Sequence, residues 1–216
     1  MKKKILYFTF TVASMIFVTS CKKTEQKILT SPSQLEGNID ISEFVPSKDE
    51  LVLISNEIGE IKQDLREKSI SDVSAEEKIA NALNPLVEKG ENIQEKLIAA
   101  LKDSKQYDYM SDQDKLLISN LTDQQLVQLS LFYIQDENVD IRAKAMPSTS
   151  SVIRTCLSAA LGVTSIYNLV RNTASLATVE GAYAAIRLIG GRYASWVGVG
   201  LMVYDFADCY YGLTNY

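Results

Sequence analysis

The sequence predicts an all-α protein: an acidic multi-helix region followed by a small-residue-rich helical bundle or hairpin with one disulfide. Three observations carry the helical part of that expectation. Starts of the form S/T-x-x-D/E/Q recur at Ser47, Ser74, Ser111 and Thr122. Each is followed by apolar residues three and four apart, which share one face of a helix. No run of β-branched and aromatic residues alternates with polar ones, as a half-buried strand requires.

The elements follow in order. Ser47 and Glu50 form a capping box, and Leu51, Ile54, Ile58, Ile61 and Leu65 make the stripe behind it. About two heptads are too few for a coiled-coil seam, so this reads as a core-facing helix. A second helix is expected from Ser74 with Glu77, carrying Ile79, Leu83, Leu86 and Val87. Pro85 is expected to kink or break it, because proline removes one backbone hydrogen bond and crowds the preceding turn. Gly90 reads as its C-terminal stop. A separate helix over about Glu91–Ser104 carries Ile93, Leu97, Ala100 and Leu101. Ser111 with Asp114 starts a short one carrying Leu116, Leu117 and Leu121. Thr122 with Gln125 starts one carrying Leu126, Leu129, Phe132 and Tyr133. Asp136 to about Ser151 is less regular, and Met146-Pro147-Ser148-Thr149-Ser150-Ser151 marks a linker.

From Val152 the texture changes to Ala, Gly, Ser, Val and Tyr, and lysine disappears. Three helices are expected, at about 152–170, 174–189 and 192–211. Ala177, Gly181 and Ala185 fall four apart, as do Ala194 and Gly198. Small residues so spaced let helix backbones approach closely, in membranes and in water alike. The uncharged stretch Tyr193–Tyr204 is too short to span a bilayer. It is followed by Asp205 and Asp208, which are costly at membrane depth. A buried helical core is the expectation.

Charge divides the chain in the same place. Residues 22–145 hold 15 Lys and Arg against 24 Asp and Glu, a net of −9. Residues 146–216 hold four Arg, no Lys and three acids, a net of +1. Neither part has the basic stripe of a nucleic-acid binder. The chain has no histidine. That removes Ser-His-Asp and Cys-His centres, HExxH zinc chemistry and any imidazole base.

The N-terminus carries an address. Lys2, Lys3 and Lys4 precede an apolar run from Ile5 to Val18, interrupted only by Thr9, Thr11 and Ser14. A positive start, an apolar stretch of this length and small residues after it form an export signal. Val18-Thr19-Ser20-Cys21 resembles the lipobox of bacterial lipoprotein signal peptides. The resemblance covers residues 1–21. It implies lipid on the Cys21 thiol, cleavage before Cys21 and acylation of the new amino terminus by a chain such as palmitate. Two or more acyl chains anchor a protein stably. In lipoproteins of this kind aspartate after the cysteine retains the protein at the inner membrane. Lys22 stands there instead, which points towards the outer membrane.

Four regions result: a signal peptide at 1–20, a lipidated flexible tether at 21–46, an acidic helical region at 47–145 and a Gly/Ala-rich apolar helical region at 146–216. A coil of about 25 residues spans about 25–30 Å. With lipid on Cys21, Cys156 and Cys209 remain, and an exported protein pairs such cysteines. Closing that loop contributes roughly 4 kcal/mol in the chain-entropy model. Three equal helices in alternating directions would leave Cys156 and Cys209 at opposite ends of a bundle. The α-carbons must lie within about 7 Å, so either the hairpins are uneven or the middle helix crosses the others.

Several residues invite a functional reading. Asp205 and Asp208 share a helix face, and an ion pair with Arg154, Arg171, Arg187 or Arg192 is expected in preference to a catalytic pair. Asp103, Asp108, Asp112 and Asp114 cluster before a helix, but a calcium loop wants a glycine at its turn and none is there. Asn120-Leu121-Thr122 matches a glycosylation sequon, although Thr122 is already explained as a cap. Gly190-Gly191 reads as an interhelical loop. Tyr210, Tyr211 and Tyr216 offer a contact surface or packing at a chain end. No residue emerges as catalytic, cofactor-binding or metal-ligating.

The expected function is therefore a non-enzymatic interaction or structural lipoprotein of the cell envelope. It would be held to the membrane by lipid on Cys21 and would have a protein partner, with no nucleic acid and no cofactor. In texture the C-terminal region resembles bacteriocin-like helical peptides and the hydrophobic hairpins of pore-forming toxins. That resemblance implies an alternative, a membrane-active protein whose C-terminal helices insert into a bilayer. A hydrolase using only carboxylates comes third. Cys21→Ala is expected to leave the signal segment attached and the chain without lipid. Intact-mass measurement of the chain from a lipoprotein-exporting host reads both changes at once.

Overall fold

The computed structural model describes residues 35, 37–40, 42–134, 149–161, 178–190 and 194–212. Cys21, the signal segment and Tyr216 lie outside these residues. So do Gly191, Ala177, Arg171, Arg192 and the side chain of Arg154.

Among the described residues the regular elements are helical, with one isolated antiparallel bridge between Asn38 and Thr178. Seven α-helices follow in order: α1 Lys48–Arg66, α2 Asp72–Asp103, α3 Asp112–Ser119, α4 Asp123–Phe132, α5 Thr149–Leu161, α6 Val179–Ile189 and α7 Trp196–Tyr211. Short 3-10 turns occupy Ser42–Phe44 and Tyr107–Tyr109.

The caps form where the sequence placed three of them. The Ser47–Glu50 box closes on both sides, with Ser47 Oγ accepting from Glu50 N–H at 3.2 Å and Glu50 Oε2 accepting from Ser47 N–H at 3.3 Å. Thr122 and Gln125 close a box in the same way at α4, while Ser111 caps α3 through its hydroxyl alone, accepting from Asp114 N–H at 3.1 Å. The second start is shifted. Ser71, not Ser74, is the cap of α2, and its hydroxyl accepts from Ser74 N–H at 3.3 Å. Thr178 and Ser195 cap α6 and α7, so these helices begin later than the small-residue texture suggests.

The larger correction concerns α2. It runs unbroken through both Pro85 and Gly90, a rod of about 48 Å at 1.5 Å per residue. Pro85 and Asn81, whose carbonyl loses its partner, are both exposed. Water can satisfy that carbonyl, which removes most of the cost of a proline in a helix interior. Gly90 is buried in mid-helix. A Cβ there would lie 2.6 Å from the Leu126 carbonyl carbon and 2.8 Å from its Cα. The glycine marks the crossing of α2 and α4.

Helices α1, α3, α4, α6 and α7 all pack against α2, and α5 packs on α7. The α1 stripe is inward as expected: Leu51, Ile54, Ile58 and Ile61 are buried and Leu65 packs at the edge. Eight consecutive residues of α4, Gln125–Phe132, are all buried, because α2, α6 and α7 surround that helix. Two of its polar donors are met locally: Ser130 Oγ donates to Val127 O at 2.8 Å and Gln128 Nε2 to Gln124 O at 3.3 Å, while Gln128 Oε1 is buried without a partner among the described residues. The core is one cluster. It runs from Leu35 and Ile39 through the stripes of α1 and α2 to Val199, Val203 and Phe206 of α7. Residues 35–46 were expected to be tether, yet Leu35 and Ile39 are core residues.

Two glycines in helices test this packing with opposite signs. Gly90→Ala is expected to destabilise by about 2 kcal/mol, the clash with Leu126 backbone outweighing a gain of about 1 kcal/mol in helix propensity. Gly198 faces only Ser195 and Ala194, at 3.5 Å and 3.9 Å from a built Cβ. Gly198→Ala is expected to stabilise by up to about 1 kcal/mol. Urea midpoints of the two variants check both.

Candidate interaction surface

The C-terminal helix is seated by contacts no local motif announces. Gly59 of α1 lets Tyr204 approach, since a Cβ there would stand 3.1 Å from the ring. Gly200 of α7 lies against Ile79 of α2, where a Cβ would come within 2.6 Å of Cγ2. The close-approach glycine of α7 is thus Gly200, not the Gly198 of the small-residue stripe. At the start of α7, Glu76 Oε2 accepts from Trp196 N–H at 2.7 Å, across 120 residues of sequence. A carboxylate here meets an otherwise unpaired amide and the positive end of the helix dipole.

Tyrosines line the outer side of this seat. Phe206 and Tyr210 stack at 5.7 Å, and Tyr210 meets Tyr211 edge-on at 4.5 Å. Two α1 lysines lie over tyrosine rings, Lys62 at 4.2 Å from Tyr204 and Lys48 at 5.3 Å from Tyr211. Such cation–π contacts contribute roughly 0.5–1 kcal/mol each at exposed sites. Tyr210 and Tyr211 are half-buried, so packing at a chain end describes them better than a free surface does. Tyr216 lies outside the described residues.

The disulfide expected between Cys156 and Cys209 is present, with α-carbons 5.6 Å apart. It joins α5 to the last turns of α7. The geometric tension foreseen for three consecutive helices is relieved because α6 packs on α2, α3 and α4. The cysteine-bearing helices therefore meet each other directly.

A second polar cluster ties α3 to α6. Ser111 Oγ donates to Asp114 Oδ2 at 2.7 Å, and the Tyr183 hydroxyl hydrogen-bonds to the same carboxylate. Arg187 lies over the Tyr183 ring at 5.7 Å. Burial, then Asp114, push the Tyr183 hydroxyl well above its ordinary range, with Arg187 opposing. Burial alone raises Tyr133. Near this cluster Gln125 closes two helices at once. Its Oε1 accepts from Thr122 N–H at 2.9 Å at the start of α4. Its Nε2 donates to Gly190 O at 3.1 Å at the end of α6. Gly190 itself packs against Leu117.

The other sequence candidates disperse. Asp205 is exposed and Asp208 half-buried, and among the described residues Asp208 Oδ1 has no hydrogen-bond partner. Arg187 sits with Tyr183 on α6 rather than with either aspartate. The remaining expected cations, Arg154, Arg171 and Arg192, have no described side chains. Of the four clustered aspartates, Asp114 is engaged by Ser111 and Tyr183, and Asp112 sits in the first turn of α3. No group of three metal-ligating residues converges among the described residues. Asn120 ends α3 and Thr122 caps α4. No described helix is long and apolar enough to cross a membrane. Among the described residues the large apolar side chains left exposed are Leu53, Val73, Tyr109 and Leu116. No family model, curated protein or solved structure matches the chain.

The buried tyrosines set an alkaline limit. Below about pH 10 an ordinary tyrosine is protonated, in the folded and the unfolded chain alike. Above it the unfolded chain releases protons that Tyr133 and Tyr183 retain when folded, so stability falls as pH rises. Tyr183→Phe is expected to cost about 1 kcal/mol at neutral pH through the lost hydrogen bond. It is also expected to flatten the decline towards about pH 11. Urea melts of parent and variant at both pH values separate the two effects.

Proposed function

We propose that the protein is a lipid-anchored component of the bacterial cell envelope that works by presenting a helical surface to a protein partner, without catalysis. The observation that carries this reading is the lipobox Val18-Thr19-Ser20-Cys21 behind a basic, apolar leader. Lys22 after the cysteine favours the outer membrane. The chemistry available further along the chain supports a binding role. There is no histidine, and the two remaining cysteines are joined to each other. The pair of half-buried Asp114 and buried Tyr183 serves to dock α6 on α3. The apolar side of α7 is occupied by α1 and α2, which favours a packed role for that helix over insertion into a bilayer.

Photo-crosslinking in the envelope tests this. A crosslinking residue at exposed Leu53 or Leu116 is expected to trap one defined envelope protein, and that adduct should disappear with Cys21→Ala. In parallel, the full chain with its disulfide intact is expected to leave dye-loaded liposomes sealed. Dye release would move the function to membrane attack, and turnover of an envelope glycan would move it to hydrolysis.

A further inference from the structure

The segment before α1 is fastened to the far end of the sequence. Leu35 and Ile39 are 6% and 5% exposed, inside the core. Between them Gly37 O accepts from Val179 N–H at 3.0 Å, and Asn38 pairs with Thr178. Val179 is the first residue of α6, so this carbonyl takes up one of the amides that a helix start leaves without an internal partner. Gly37 has φ of +125°, a conformation open to glycine and strained for other residues. A Cβ at Gly37 would also stand 3.1 Å from Val179 Cγ2. The 3-10 turn at Ser42–Phe44 then packs on α2, with Lys96 lying 5.8 Å from the Phe44 ring.

Helix α6 is therefore held at both ends. Its start is held by Gly37 and Asn38. Its end is held by Gln125, which reaches Gly190 O, and its middle by Tyr183 on Asp114. Between these holds its side chains Ala182, Ala185, Ile186 and Ile189 are buried.

We infer that Leu35, Gly37, Asn38 and Ile39 form a latch on the start of α6, and that releasing the latch lets α6 open locally from that start while α1 and α2 stay folded. In sequence the latch lies between Cys21 and α1, so a pull on an anchored N-terminus reaches the latch ahead of α1. That last step rests on the proposed lipid anchor; the latch itself does not.

Hydrogen exchange of the full chain in detergent tests the latch. The parent is compared with Gly37→Ala, which strains the backbone without placing a charge in the core, and with the double variant Leu35→Asp/Ile39→Asp. In Gly37→Ala the amides of α6 are expected to exchange at least about tenfold faster, as local opening requires. Amides of α2 between Leu83 and Leu101 are expected to keep the parent rate. Equal acceleration in α2 and α6, or none in α6, overturns the inference. If the double variant unfolds, Gly37→Ala alone decides. The anchor is read separately by intact mass, since a chain found without lipid would leave the exchange result standing and remove only the coupling to the membrane.

Discussion

Helix α2 is the member on which the other contacts depend. Five helices pack against it, and a break at residue 85 or 90 would give each of them a different neighbour. Its continuity comes from where two unfavourable residues face. Pro85 is on the wet side, where the carbonyl it orphans meets water. Gly90 is on the packed side, where its missing side chain admits the backbone of Leu126. Interchanging those faces would bury an unsatisfied carbonyl, at a cost of about 1–3 kcal/mol, and open a gap at the α2–α4 crossing. The enclosure of α4 follows, since a helix pressed this close to α2 has to be roofed by α6 and α7.

The split in charge along the sequence takes on a different meaning in three dimensions. Most acids of α1 and α2 lie on wet faces, Glu76 excepted, while the stripes of the same helices receive α7. The lysine-free C-terminal region borrows its cations: Lys48 and Lys62 of α1 cover tyrosines of α7. Its helix start in turn borrows an anion, Glu76 of α2. Composition changes sharply along the chain, yet both regions contribute buried side chains to one core, from Leu51 of α1 to Phe206 of α7.

Local signals were legible and crossings were not. A capping box involves residues three apart, so Ser47–Glu50 and Thr122–Gln125 can be read from the chain, as can the stripe from Leu51 to Leu65. Ser71 was missed because Ser74 with Glu77 offers an equally good pattern three residues later. Pro85 and Gly90 misled because their meaning depends on which face they occupy, which depends on partners far along the chain. The second task of Gln125, the reach of Glu76 to Trp196 and the bridge from Asn38 to Thr178 join residues 64 or more apart and leave no trace in a window of sequence. The disulfide was legible by count, and its geometry left two arrangements open, uneven hairpins or a middle helix that crosses the others; which helices α6 packs on was not legible. The lipobox rests on residues 1–21 alone, outside the described structure.

The position of α7 also bears on whether this region behaves as an inserting element. Val199, Val203 and Phe206 are fully buried against the rest of the core. At about 1.5–3 kcal/mol for each such side chain, withdrawing α7 forfeits roughly 5–9 kcal/mol from these three alone. It would also uncover the stripes of α1 and α2. A domain's whole stability is about 5–15 kcal/mol. Withdrawal of α7 is therefore equivalent to unfolding, and the disulfide would bring α5 with it. Helix α6 is also held by burial, of Val179, Tyr183, Ile186 and Ile189, but its first amide is tied to Gly37 rather than to a neighbouring helix. Opening of α6 therefore has to begin at its start, where the Gly37 carbonyl and the Asn38–Thr178 bridge are the ties, and not by withdrawal of the whole helix.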